Sequence, residues 1–251
     1  EKYLKDFCVG KDVDNIEDMW QSLFVSSYWR NGPVLNNAIS GIDQALWDIK
    51  GKRANMPTYQ LLGGKCRFAI PCYTHASGNT PEEAANQVSS YMEEGYRYVR
   101  IQQGGYGGAG ISGEPDFKKQ GFARNTDQYM DQGKYRKDVP KLFETVRRQC
   151  GEEVELLHDI HERLDPIDAI NVIKSVEPYN PFFIEDPFSP EQMEWFKQLR
   201  NATTVPLAMG ELFNNINEFK EPMTNRLFDY IRIHISQIGG ITPAMKLKLA
   251  A

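Results

Sequence analysis

The stretch VELLHDIHERLDPIDAINVIKSVEPYNPFFIEDP, residues 154–187, decides the fold class. It opens with a β-rich run, VELLHDIH (154–161). Asp165 and Pro166 then start a helix, and proline suits the first helical position because its missing N–H has no intrahelical partner there. Ala169, Ile170, Ile173 and Val176 follow at spacings of three and four, which places them on one helical face. The next run, PFFIEDP (181–187), is apolar at its start instead of alternating, as expected of a strand covered on both faces. Two strands joined by a helix of this length form a crossover, and a crossover pairs its strands in parallel.

The same unit recurs along the chain. AIPCYT (69–74) reads as a first strand, followed by a helix with Thr80 as cap, Pro81 at its first position and Glu83 closing a capping box. YVRIQ (98–102) is the second strand, and the helix PKLFETVRRQC (140–150) stops at Gly151 before the run at 154. Ser189 and Pro190 open another helix, VPLAMGE (205–211) is the fifth strand and YIRIHIS (230–236) the sixth. No glycine-rich phosphate turn follows a first strand, so a (β/α)8, TIM-like barrel fits better than an open doubly wound sheet. Six of its eight units are in the sequence, and the barrel domain is assigned to residues 66–251. Residues 1–65 read as the remainder of a smaller α+β capping domain with lead-in helices; in AISGIDQALWDIKGK the residues Ile39, Ile42, Leu46 and Ile49 form an apolar stripe. Residues 103–138 break the rhythm as a polar, lid-like insertion. Its GGYGGAG (104–110) lacks the GxxxxGK[ST] phosphate-binding pattern and reads as loop.

Bulk properties exclude several classes. The 251 residues are 41% hydrophobic and 25% charged with a formal net charge of −5, which argues against a nucleic-acid partner. Neither an apolar membrane span nor a basic-then-apolar leader is visible, so the expected location is cytoplasmic, with no membrane partner. Four cysteines without CxxC spacing read as reduced, buried thiols.

The chemistry lies in where the acids fall. Asp159, Glu185 and Glu211 each close a strand, and each is separated from the next by 26 residues, one βα unit. A parallel barrel delivers such residues to one rim, the C-terminal one. A lone acid there commonly caps a helix or pairs with an arginine. Three converging acids repel unless a cation neutralises them, and an all-oxygen set suits a hard ion such as Mg²⁺. His161 follows Asp159 by two, so a strand continuing that far turns its imidazole to the same mouth, where it suits proton transfer near neutral pH. His158 has the opposite parity and should face the helices. Arg100 and Arg232 also sit near strand ends, placed either to clamp a substrate carboxylate or to pair with the ligand acids. His75 and His234 are weaker candidates.

AISGIDQALWDIKGKRANMPTYQLLGG (38–64), LLHDIHERL, FIEDPF, MGELFN and DYIRIHISQIGGIT together resemble the enolase superfamily, and most closely its mannonate dehydratase group. The resemblance implies a Mg²⁺-dependent acid-sugar dehydratase, a hydro-lyase, in a homo-oligomer. Asp159, Glu185 and Glu211 would hold the metal, with Glu211 also touching substrate. A base near Arg100 would take the proton α to the carboxylate, and His161 would protonate the departing 3-hydroxyl, giving a 2-keto-3-deoxy acid. His75 and Arg232 match positions that contact the sugar acid. The lysine bases of the racemase and lactonizing relatives are absent from YVRIQ. The family also pairs its strand-two arginine with a tyrosine about a dozen residues on; here that neighbourhood reads GGAGISGEP, leaving Tyr106, Tyr129 and Tyr135 as the nearby tyrosines. The strand-seven histidine and strand-eight glutamate of the family are not in this sequence. Other readings are a metal-binding relative acting on a different acid, or a non-catalytic, regulatory barrel.

Overall fold

The computed structural model describes residues 2–26, 28–104 and 132–251. Its elements are α1 (Lys5–Cys8), α2 (Ile16–Val25), α3 (Pro33–Arg53), α4 (Thr58–Leu61), β1 (Tyr73–Gly78), α5 (Pro81–Glu93), β2 (Tyr98–Gln103), α6 (Gln132–Cys150), β3 (Glu155–Asp159), α7 (Pro166–Val176), β4 (Phe183–Glu185), α8 (Trp195–Ala202), β5 (Leu207–Met209), α9 (Lys220–Thr224), β6 (Tyr230–Ile231) and α10 (Ile241–Ala250). The class is α/β. Six strands lie in one sheet in the order β1-β2-β3-β4-β5-β6, and the pairs β1–β2 through β4–β5 are parallel. Strands in chain order, each reached through a helical connection, follow the winding of a (β/α) barrel.

The chain forms two compact units. One holds residues 71–209 and 227–230. Its strands carry two rows of inward side chains. The lower row is apolar: Leu157, Phe183 and Ala208 are buried, with Tyr73, Tyr98 and Phe182 packed against them. The opposite faces of the strands bury Val99, Ile101, Leu156 and Ile184, and α5 and α6 supply Ala84, Ala85, Val88, Leu142, Phe143 and Val146 to the same unit's core. Local chemistry fixes the connections. The Thr80 hydroxyl accepts from the Glu83 N–H, and the Glu83 carboxylate reaches back one residue further than a capping box requires, to the Asn79 N–H. Gly78 ends β1 where a Cβ would lie 2.6 Å from the Cβ of Glu83, so only glycine admits this strand-to-helix turn.

The second unit holds residues 1–70, 210–226 and 231–251. Leu4, Ile16, Met19, Leu23, Ile39 and Leu46 form its buried core. Of the apolar stripe on α3, Ile39 and Leu46 are buried and Ile42 packs against them, whereas Ile49 is exposed, one turn past the contact. The start of α10 is held by a side chain remote in sequence. Asp43 on α3 accepts from the Thr242 N–H at 3.0 Å and from the Thr242 hydroxyl at 2.5 Å, and the Trp47 indole N–H donates to that same hydroxyl. Gly240, at φ +118, precedes α10 where any Cβ would collide with the Asp43 carboxylate.

Several boundaries differ from the sequence reading. The first strand begins at Tyr73, not Ala69, which puts His75 inside it. The fifth and sixth strands are shorter than VPLAMGE and YIRIHIS, so Glu211, Arg232 and His234 follow strands instead of ending them. The insertion assigned to 103–138 has its first residue in β2 and its last seven in α6; residues 105–131, with Tyr106 and Tyr129, lie outside the described residues. None of the four cysteines forms a disulfide, but Cys66 and Cys72 are exposed, not buried. No helix among the described residues is long and apolar enough to cross a membrane.

Asp43 caps α10 from inside the core, so Asp43→Ala strands the Thr242 backbone N–H and the Thr242 hydroxyl. The expected loss is about 2 kcal/mol of unfolding free energy in a urea titration. Asp43→Asn keeps an acceptor for the Thr242 N–H and should lose less.

Candidate metal centre

A polar row lies directly above the apolar one. In the β1–β2 register His75 pairs with Arg100, and in the β3–β4 register Asp159 pairs with Glu185. Because alternate residues of a strand share a face, Tyr73 and His75, Tyr98 and Arg100, Leu157 and Asp159, and Phe183 and Glu185 each place a polar group one step up from the apolar layer. Asp159 and Glu185 are both 0% exposed and Arg100 is 4% exposed. The Arg100 guanidinium donates from Nη1 to Asp159 Oδ2 at 3.0 Å, and the same nitrogen lies 3.9 Å from Glu185 Oε2. Its Nη2 lies 3.4 Å from His75 Nδ1, and the His75 ring stacks on Tyr73. Arg100, on β2, therefore reaches the acids of both β3 and β4.

Asp186 adds a third buried carboxylate that sequence reasoning missed. It is 2% exposed, and one of its oxygens lies within 4.8 Å of one from Glu185. Parity alone sends residue 186 to the opposite face. Its φ of +42 breaks that parity, and the backbone is locked there by Asp186 N–H to Ala208 O and Glu162 N–H to Asp186 O. The donor chemistry suits a hard divalent cation: carboxylate oxygens from buried acids, with a guanidinium beside Asp159 and Glu185.

His161 reaches the rim by a different route from the one its spacing suggested. β3 ends at Asp159, and His161 and Glu162 both take left-handed backbone, φ +57 and +56. Two such residues in succession cost strain and persist only where the surroundings hold them. Here Ile160 N–H donates to Glu185 O and Glu162 N–H to Asp186 O, so β4 fixes the turn that carries the half-buried imidazole.

His158 faces the helices, as its parity requires. It is buried, its Nδ1 lies 2.8 Å from Ile101 O and its Nε2 2.7 Å from the Tyr135 hydroxyl. Burial pushes its pKa down to about 4, so the ring is neutral and carries one N–H. A carbonyl only accepts, so Nδ1 holds that hydrogen, and Tyr135 donates to Nε2. Burial first, and then the charge of Asp159, push the Tyr135 phenol upward, keeping it a donor. Tyr135 thus packs behind β3, on the helix side, and does not stand beside Arg100 as a proton-transfer partner.

Glu211 and Arg232, in the other compact unit, pair with each other, Arg232 Nη2 donating to Glu211 Oε2 at 3.2 Å. His234 sits beside the Ser236 hydroxyl at 2.6 Å. Gly210, at φ +127, makes the turn into Glu211; a Cβ there would overlap Phe219 and Arg232 O.

Known proteins resemble this chain over nearly all of its length. Residues 83–251 match the family described as enolase C-terminal domain-like, and residues 1–63 match the mandelate racemase / muconate lactonizing enzyme N-terminal domain. The D-galactonate dehydratase family member RspA of Pantoea ananatis (strain LMG 20103) is 51% identical over 99% of this chain and 63% of its own length. The D-mannonate dehydratase of Sphingomonas sp. (strain SKA58) is 43% identical over 97% of this chain and 61% of its own. A crystal structure of an enolase from Pantoea ananatis with bound D-gluconate and Mg superposes with a TM-score of 0.92 at 50% identity, over 99% of this chain and 63% of that one. The chain thus spans a little over three-fifths of the length of these relatives.

A neutral, buried His158 makes stability depend on pH. Its folded pKa lies below the unfolded value of 6.5, so its contribution is complete above pH 6.5 and is lost as pH falls towards 4. Urea titrations should show up to about 3 kcal/mol lost across that window beyond the slope of a His158→Gln variant, which has no ring to protonate.

Proposed function

The chain belongs to the enolase superfamily, in the branch with a mandelate racemase / muconate lactonizing enzyme N-terminal domain, and from that membership we propose that the whole protein is a Mg²⁺-dependent acid-sugar dehydratase. The observation that carries this reading is the pair of fully buried carboxylates, Asp159 and Glu185, delivered in register by adjacent strands. Burying two like charges side by side is unfavourable for folding alone, and such an arrangement is retained where a cation or a reaction uses it.

Asp159 and Glu185 would hold the magnesium ion, with Glu211 added on the strength of the repeated 26-residue spacing in the sequence. The bound ion would supply the positive charge that draws the substrate carboxylate and acidifies the carbon α to it. Arg100 orients Asp159 through the bond at 3.0 Å and stands 3.9 Å from Glu185. His75, at the open side of Arg100, and Arg232, on Glu211, present donors to the hydroxyls or carboxylate of a sugar acid. His161 protonates the leaving 3-hydroxyl from a ring nitrogen, on a turn rigid enough to aim it. A base near Arg100 takes the α proton and the 3-hydroxyl leaves as water, giving the enol of a 2-keto-3-deoxy acid, which becomes the ketone on protonation. Mannonate and gluconate are the substrates this reading favours. Relatives named for galactonate and mannonate dehydratases, and a structural neighbour holding D-gluconate and Mg, support the substrate class.

The test uses the full-length protein, Mg²⁺ and a panel of hexonates and pentonates, with 2-keto-3-deoxy product as readout. Turnover of mannonate or gluconate should fall at least about 100-fold in His161→Asn, the usual scale for loss of a general acid, and be lost in Asp159→Asn together with Mg²⁺ binding. Turnover confined to an acid of another class, or none with metal demonstrably bound, overturns the assignment.

A further inference from the structure

The backbone ladder of the sheet is not continuous at the rim. β1 and β2 stay in register through Gly78 and Gln103, and Gly104 N–H extends the pairing to Gly78 O. β3 and β4 stay paired through Asp159 and Glu185, and Ile160 N–H extends that pairing to Glu185 O. Between these two arms, the β2–β3 ladder stops at the pair Arg100–Leu157. The next two positions in register are Ile101 opposite His158 and Gln102 opposite Asp159. Side chains bridge both. His158 Nδ1 bonds Ile101 O at 2.8 Å, and Gln102 Nε2 donates to the backbone carbonyl of Asp159 at 3.1 Å. Tyr135 on α6 completes the bridge, holding the far side of the His158 ring at 2.7 Å, with Phe143 edge-on against it.

This seam begins between the cation and the acids. Arg100 is the last β2 residue paired with β3, opposite Leu157; Asp159 lies two residues beyond Leu157, past the start of the seam, with Glu185 beside it on β4. The width of the seam sets how far the guanidinium stands from the carboxylates. We propose that Gln102, His158 and Tyr135 are positioning residues that fix this width, and so set the affinity of the acid cluster for its divalent cation and the alignment of bound substrate. The proposal rests on the dehydratase reading for the ion and substrate; the bonds that form the bridge end on the backbone carbonyls of Asp159 and Ile101 and on the His158 ring, so each residue acts through backbone placement.

Gln102 argues for function over stability. Its side chain is 7% exposed and its Oε1 accepts no hydrogen bond among the described residues. An unsatisfied buried carbonyl costs stability, so a leucine of similar size should be tolerated by the fold. Among the described residues the amide makes one bond, to the backbone of the residue that carries the ligand carboxylate.

The experiment uses the full-length protein with Gln102→Leu, Tyr135→Phe, His158→Leu and His158→Gln. Mg²⁺ affinity is measured by calorimetry and, separately, kcat and KM on the preferred acid. Gln102→Leu and His158→Leu should weaken Mg²⁺ binding about tenfold, within the range for loss of a group that orients a metal ligand, and lower kcat more than they raise KM. Gln102→Leu should keep its urea midpoint. His158→Gln, whose amide can donate to Ile101 O and accept from Tyr135, should recover affinity to within about threefold of the parent. Unchanged Mg²⁺ affinity in Gln102→Leu and His158→Leu, with the parent binding Mg²⁺ normally, overturns the positioning role and leaves the dehydratase reading standing. Failure of the parent protein to bind Mg²⁺ overturns both. Should His158→Leu fail to fold, Gln102→Leu decides the matter alone.

Discussion

Two carboxylates on adjacent strands, both out of contact with solvent, are the constraint around which the barrel unit is arranged. Strands stand about 4.8 Å apart, and at that distance two unit charges repel by roughly 3–4 kcal/mol at an effective dielectric near 20. Asp159 and Glu185 accept this repulsion because β3 and β4 are held in register by their backbones through those same residues. Beneath them Leu157, Phe183 and Ala208 close the interior to water, which sharpens every interaction above. Arg100 offsets part of the charge from the neighbouring strand. The stability of the unit is thus provided by the apolar layer and the ladders, and the strain is concentrated in one polar layer on top.

Much of this was legible in the sequence. Apolar strand runs, helix stripes and caps such as Thr80 gave parallel βαβ units. The 26-residue spacing put Asp159 and Glu185 together, and strand parity sent His158 to the helices. What spacing could not show is where a strand stops. A period of two holds only while the backbone is extended. His161, Glu162 and Asp186 take positive φ, so their side chains leave the rule within one or two residues of the strand ends. None of the three is glycine; Asp186–Pro187 is a turn signal, but no such pair announces His161 and Glu162. For the same reason Arg232 and His234, read as strand residues, belong to the turns beyond a two-residue β6. Gln102 was within reach, since it shares parity with Arg100; the weight given to charge over amide hid it.

Tyr135 shows a further limit. A family pattern asks for a tyrosine some distance past the strand-two arginine, and counting residues makes Tyr135 a candidate. The helix decides otherwise: α6 begins at Gln132, and its inward face at residue 135 meets His158, with Val139, Leu142, Phe143 and Val146 continuing the same buried face. Distance along the chain carries no information on which side of a sheet a residue will lie. A helical period does, but only once the start of the helix is known.

The second compact unit supplies the control for this reasoning. Asp43 is as buried as the acids of the metal centre, at 1% exposure, and burial raises its pKa while the bonds from Thr242 oppose the rise. Its two oxygens are met by a backbone N–H and a hydroxyl at the start of α10, donors that come with the helix and need no ion. A buried carboxylate by itself is therefore no mark of a metal. Asp159 and Glu185 differ in kind: adjacent strands carry them side by side in register, and they share the Arg100 guanidinium of β2. An arrangement that leaves like charges facing at the mouth of a parallel barrel, when the same chain satisfies a buried acid with neutral donors elsewhere, is one that folding alone would not select.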